Sequence, residues 1–221
     1  MAAQIIKPQR LSPAELKKLI TRRWPASWYS ESDWSQLSFS TGFPALDALF
    51  PSSGIPYGQL LEITGDISSG KTSLLFMMLA EITKQGVIAY MDFSRSFFPS
   101  AAAACGIDMA RLIVLQPDTP ATGLRAAELL FRHRLACGVV FDLVGETGAL
   151  PITLLHRLRL QTVRAKALII FLTETGANTI PASTTSLKLD VHRVSGCHLH
   201  ITVAKSRIST EGLQVEVTIH E

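Results

Sequence analysis

The chain has 221 residues, 47% of them hydrophobic, with 21 Lys and Arg against 18 Asp and Glu for a formal net charge of +3. That supplies one sizeable core with a short appendage, and the mild positive charge falls well short of the dense basic face that a polyanion-coating protein needs. Cys105, Cys137 and Cys197 are odd in number, far apart and without CxxC or His-pair spacing, which argues against a disulfide framework or a zinc site and for three reduced, mostly buried thiols.

No apolar run reaches the roughly 18 residues of a membrane span, and the N-terminus MAAQIIKPQR lacks the apolar block of a secretory signal. A cytoplasmic protein without membrane contact is expected. Residues 1–38 differ from the rest: they are polar and basic and carry Trp24, Trp28 and Trp34. Ser12 and Pro13 open a helix there, and Trp24-Pro25 closes it. This segment reads as an arm that either packs on the core or a neighbour through its tryptophans, or contacts single-stranded nucleic acid through Lys17, Lys18, Arg22, Arg23 and the nearby rings. Residues 39–221 read as the core.

Within the core, apolar runs of strand length alternate with helical stretches. The runs are 59–64, 87–92, 111–116, 137–142 and 167–172; the helices are 71–84, about 99–105, 119–136 and 151–165. Continuous apolar strands separated by helices imply a mainly parallel α/β sheet covered on both faces. The last third changes character. SLKLDVHRV, CHLHITVAKSRI and LQVEVTIHE alternate apolar with polar residues and are separated by SG and EG turns, the pattern of an antiparallel meander with one wet face extending the sheet edge.

The stretch Gly65-Asp66-Ile67-Ser68-Ser69-Gly70-Lys71-Thr72, followed by Ser73, matches the phosphate-loop pattern GxxxxGK[ST] between a predicted strand and a predicted helix. Glycines let successive backbone N–H groups turn inward, the helix N-terminus adds its positive end, Lys71 reaches terminal phosphates and Thr72 offers its hydroxyl to Mg²⁺. A P-loop normally works with a second carboxylate at the end of a neighbouring strand. Asp142, after CGVVF, stands in that place, although an acidic residue at a strand end is often only a cap for the next turn.

These motifs are part of a wider similarity. FSTGFPALDALFPSSGIPYGQLLEITGDISSGKTS, from Phe39 to Ser73, resembles the entry to the core of bacterial RecA-type recombinases, and the register continues through Met91-Asp92, Pro99, Gly106, Asp108 and Gln116-Pro117-Asp118-Thr119 to about residue 209. The resemblance implies a RecA-like P-loop ATPase core that binds ATP and Mg²⁺. It also implies that Lys205 and Arg207 reach across to a neighbouring subunit's ATP; the alternative for them is a solvated strand face.

The departures from that family matter as much. Where the recombinases carry the glutamate that activates the attacking water, this chain has Ser94, which has no basicity near neutral pH; losing a positioned base costs about 10²–10⁴ in rate. Asp92, Glu146 and Glu174 are the acids available as replacements. Phe98 and Ala101 stand where an acid and a tyrosine flank the adenine, and Phe98 either stacks on a base or fills core. Thr173-Glu174 replaces the Asn-Gln whose glutamine senses the terminal phosphate, and a carboxylate facing a phosphate repels it unless protonated or turned away. The two DNA-holding loops are short, at 145–151 and 175–185, and neither has a Lys or Arg, whereas phosphate contacts supply most of the affinity for DNA.

The length and these losses look similar to the ImuA-type accessory proteins of bacterial translesion-synthesis cassettes, as do ALPITLLHRLRLQTVRAKAL and the C-terminal ending. The expected function is therefore an ATP-binding accessory protein of the DNA-damage response that hydrolyses ATP weakly or not at all. Its expected partners are further copies of itself, a RecA-type recombinase or a Y-family-like polymerase subunit, with DNA contact weak or indirect. The alternatives are an active DNA-stimulated ATPase and an interaction scaffold with a vestigial nucleotide site.

Overall fold

The computed structural model describes residues 38–219, so the predicted arm lies almost wholly outside the described residues. The described chain opens with a two-stranded antiparallel pair, β1 (Ser38–Phe39) with β2 (Ile55–Pro56), around the short helix α1 (Pro44–Asp47). The Ser-Thr-Gly and Leu-Asp signatures of this opening segment form one clasp. The Asp47 carboxylate accepts hydrogen bonds from the Thr41 N–H (2.9 Å), the Thr41 hydroxyl (2.7 Å) and the Ser40 hydroxyl (2.7 Å).

The main sheet has eight strands in the order β10-β9-β8-β3-β7-β6-β4-β5. Its parallel part comprises β3 (Leu60–Gly65), β4 (Ile88–Asp92), β5 (Leu112–Leu115), β6 (Gly138–Asp142) and β7 (Leu168–Glu174). The interleaved helices are α2 (Lys71–Thr83), α3 (Pro99–Ala104), α4 (Pro120–Arg132) and α5 (Ile152–Ala165). Each element expected within the core is present, while the helix expected between Ser12 and Trp24 lies outside the described residues. The α4 helix stops four residues early: the chain turns at His133 and Arg134 instead of running on to residue 136.

Side-chain alternation along the strands divides the core in two, as successive residues point to opposite faces. Leu61 and Ile63 pack with Leu74, Leu75, Met78, Leu79 and Ile82 of α2. Leu60 joins Val139, Phe141, Ile169 and Phe171 under Leu124, Ala127 and Phe131 of α4 and Leu155 and Leu158 of α5.

Two expectations need correction. Coverage of both faces fails at the edge, because Ile113 and Val114 of β5 are 40% and 37% exposed. The expected antiparallel meander is present, since β8 (Leu187–Ser195), β9 (His198–Ser206) and β10 (Gln214–Thr218) pair antiparallel in succession, and it joins the sheet through β8, which runs parallel to β3. Alternation reports one wet face but not which strand lies alongside. The thiols of Cys105, Cys137 and Cys197 are each half-buried rather than buried. Among the described residues no helix is long and apolar enough to cross a membrane.

Candidate functional site

Strand β3 lies between β7 and β8 and delivers the chain to the phosphate loop at its C-terminal end. The loop is tightly built. A Cβ at Gly65 would sit 2.6 Å from the Val191 carbonyl oxygen and 2.4 Å from Ser69 Oγ, so this position admits only glycine. Gly70 caps α2 in the left-handed region at φ +84°, and a Cβ there would meet Leu199 Cδ2 at 2.6 Å. Ser68 is left-handed as well, at φ +64°.

Lys71 is 6% exposed, and its Nζ donates to the Asp66 carbonyl across the loop at 3.0 Å. Ser69 Oγ is buried without a hydrogen-bond partner among the described residues, the kind of orphaned polar atom that a bound group satisfies. Asp66, Ile67 and Ser68 form the exposed lip of the loop, and Thr72 is exposed on the first turn of α2. An exposed hydroxyl, a buried ammonium group and a helix N-terminus converge here, which is a cradle for an anion of phosphate type.

Two carboxylates stand at neighbouring strand ends, in register with each other: Asp142 of β6 and Asp92 of β4. Asp142 is 5% exposed, and its Oδ2 accepts a 2.7 Å hydrogen bond from the Tyr90 hydroxyl, while Oδ1 accepts from the Val144 N–H at 3.3 Å. Burial pushes its carboxyl above the ordinary range. The Tyr90 and Val144 hydrogen bonds oppose the rise, nearby Asp92 adds to it, and the Lys71 charge opposes it. Burial, together with the Asp142 charge, also keeps the Tyr90 hydroxyl protonated far beyond its usual range, so this tyrosine is a fixed donor orienting the carboxylate.

Asp92 is occupied differently. Its oxygens accept from the Ser96 N–H (2.9 Å), the Phe97 N–H (3.3 Å) and Gln116 Nε2 (3.4 Å). Three donors on one carboxylate make it the cap of the turn after β4. Ser94 lies in that turn, exposed, with its hydroxyl 2.7 Å from the Ser96 hydroxyl.

With this geometry in view, the RecA N-terminal domain family matches residues 29–150, more than half of the chain. The chain belongs to this RecA family. It is 30% identical to protein RecA of Marinobacter nauticus over an alignment covering 81% of this chain and 64% of that protein. It is 38% identical to protein RecA of Clostridium tetani over 59% of this chain and 40% of that one, and 29% identical to protein RecA of Chloroflexus aggregans over 81% and 63%. The chain thus spans less than two thirds of the length of these curated relatives.

Within this RecA-family core, the structure gathers some of the expected residues and disperses others. Glu174 ends β7 directly beside Gly65 in the ladder, and the Thr175 N–H donates to the Gly65 carbonyl at 3.3 Å. Loops 145–149 and 174–179 enclose a cleft of about 500 Å³ whose only charged lining residues are Glu146 and Glu174. Lys205 and Arg207 stand at the far end of β9, away from the loop, because β9 runs antiparallel to β8. Strand β9 ends at Ser206, so Arg207 lies just beyond it. Both cations hydrogen-bond backbone carbonyls of one loop, Lys205 that of Ala182 and Arg207 that of Ser183.

Phe98 is 63% exposed, so it does not fill core. Its neighbour Phe97 does that, with ring centroids 4.9 Å from Tyr90 and 5.8 Å from Phe76.

Sequence reasoning missed two residues. Tyr90 reads as one more apolar residue in a strand until the pairing of β4 with β6 places its hydroxyl on Asp142. Arg193, near the end of β8, donates from Nε to the Ser68 carbonyl at 3.2 Å and from the guanidinium to the Gly196 carbonyl. It ties the lip of the phosphate loop to the next strand. Only knowing that β8 adjoins β3 predicts this contact.

Proposed function

We infer that this chain is a RecA-related ATP-binding accessory protein of the bacterial DNA-damage response. It binds Mg-ATP, hydrolyses it weakly or not at all, and works in the cytoplasm through protein partners, in the manner of the ImuA-type proteins of translesion synthesis. The cradle's constriction at Gly65 and Gly70, the buried Lys71 and the unpartnered Ser69 hydroxyl fit a triphosphate. The backbone N–H groups of residues 68–72 and Lys71 would hold the phosphates, while Thr72 and Asp142, oriented by Tyr90, would hold Mg²⁺ and its water shell. The bound nucleotide supplies a bond whose hydrolysis needs a base to deprotonate water.

The observation that carries the reading is the contrast between that complete loop and the turn after β4, where Ser94 replaces the expected base and Asp92 is held by three donors as a cap. A 10²–10⁴-fold loss of rate is about 3–5 kcal/mol of barrier, while the groups that grip phosphate are untouched. The acidic cleft between loops 145–149 and 174–179 supports weak or indirect contact with DNA, since a groove lined by Glu146 and Glu174 repels a phosphate backbone. Lys205 and Arg207, braced on one loop, are presented together for contact with a neighbouring subunit. The segment 1–38 is proposed as the docking arm for a second copy, a recombinase or a polymerase subunit.

The deciding experiment measures Mg-ATP binding and turnover on one preparation, with and without single-stranded DNA. Binding that is lost in Lys71→Ala, with turnover near background, is the expected result. Turnover at recombinase-like rates, abolished by Lys71→Ala, overturns it. One observation favours a second reading, a DNA-stimulated ATPase: Glu174 sits beside Gly65, and a base from β7 would replace the missing one. Turnover stimulated by DNA and removed by Glu174→Gln would select that reading.

A further inference from the structure

At the opposite end of the parallel strands from the phosphate loop, a cleft of about 540 Å³ opens where α4 and α5 finish and β4, β6 and β7 begin. Its floor is firm, because the Cys137 N–H donates to the Val87 carbonyl at 2.8 Å and the Leu168 N–H donates to the Cys137 carbonyl at 3.0 Å. Arg134, Arg164 and Lys166 line it, and no Asp or Glu does. All three cations are exposed and make no hydrogen bond or ion pair with a described residue. Leu135, 58% exposed, adds an apolar wall, and half-buried Cys137 lies on the floor. Burial pushes that thiol up, away from the reactive thiolate, so the cleft is built for binding rather than for thiol chemistry.

A second, independent observation concerns the backbone. Both helices end in the same device. The Leu135 N–H bonds the Leu130 carbonyl at 2.9 Å with Arg134 left-handed between them at φ +55°. Likewise, the Ala167 N–H bonds the Thr162 carbonyl at 3.0 Å with Lys166 at φ +51°. Glycine is the usual occupant of this position because a Cβ is strained there. The chain instead places a cation at both, and both side chains line the same cleft. Complementing the helix dipole is the plain alternative, but it asks only for a cation in the last turn, which Arg132 on α4 and Arg164 on α5 already supply. Retained strain of this kind clusters at functional positions.

We propose that this cleft binds an acidic, leucine-bearing peptide segment of a different protein. Three cations around a pocket suit carboxylates beside one apolar anchor. The lining has no aromatic ring on which a base could stack and no continuous basic track, both of which single-stranded nucleic acid needs. This chain's own residues 1–37 do not complement it, since they carry six Lys and Arg against three Asp and Glu. The proposal goes beyond the nucleotide reading and does not rest on it, so the test is made without nucleotide.

The full-length chain is titrated into a short fluorescein-labelled peptide of alternating glutamate and leucine, into the same peptide with glutamine for glutamate, and into a fluorescein-labelled oligothymidylate. The acidic peptide is expected to bind saturably and more tightly than the glutamine peptide. The variant Arg134→Gly/Lys166→Gly, which relieves the backbone, is expected to keep the melting temperature and to lose roughly tenfold or more in peptide affinity. Wild-type peptide affinity in that variant, equal binding of the glutamine peptide, or a loss confined to the oligothymidylate overturns the proposal.

Discussion

Ser94 is where chemistry and binding part company. Its hydroxyl is spent on Ser96, and the neighbouring carboxylate is held by three donors, so no base stands in that turn. Placing one there tests the idea directly. Ser94→Glu is expected to raise ATP turnover by about 10²-fold while leaving the dissociation constant for Mg-ATP unchanged; turnover that stays at background would show that more than the base is missing. Asp142 offers a pH test. Burial holds its carboxyl above the ordinary value, so the folded chain binds this proton more tightly than the unfolded chain, and the resulting stability falls as pH rises through that raised range. Asp142→Asn removes the cost of burying the charge and still accepts from Tyr90. Its melting temperature relative to wild type should therefore climb as pH rises above the ordinary aspartate value of about 4; a difference that stays flat as pH rises would mean the carboxylate does not feel its burial.

At the scale of elements, β3 is joined to β8 by more than its ladder. Glu62, 4% exposed, accepts from Lys188 Nζ at 2.9 Å, from the Thr173 hydroxyl at 3.2 Å and from the Thr185 hydroxyl at 3.4 Å. Lys188→Ala leaves that charge buried and uncompensated, and should cost roughly 3 kcal/mol in urea unfolding. Lys188→Ala combined with Glu62→Gln should recover much of the loss. Strands β3 to β7 were legible in the sequence because each is a continuous apolar run bounded by a helix signal, and the phosphate loop because its glycine spacing is imposed by close approach. Contacts between strands distant in sequence were not legible. Tyr90 meets Asp142 across 52 residues and Arg193 meets Ser68 across 125, and nothing local to either member marks the bond. The same reason hid the parallel partner of β8: a half-wet strand has the same alternation beside either kind of neighbour.

Across the whole molecule, the sheet joins a parallel α/β part to a two-strand antiparallel extension, and the candidate nucleotide site lies near their junction. The loop's glycines pack against both parts, Gly65 on the Val191 carbonyl and Gly70 on Leu199. Strand β3 is central only in the finished fold, since its two neighbours, β7 and β8, both come after residue 150. A polypeptide cut at residue 150 would contain the whole glycine-lysine signature and yet leave its strand bare along both edges. Such a fragment should fail to retain Mg-ATP in equilibrium dialysis where the full-length chain retains it. During synthesis, too, the candidate nucleotide pocket would come into being only once the polypeptide has emerged past about residue 195, at the end of β8, long after the glycine-lysine signature itself has left the ribosome.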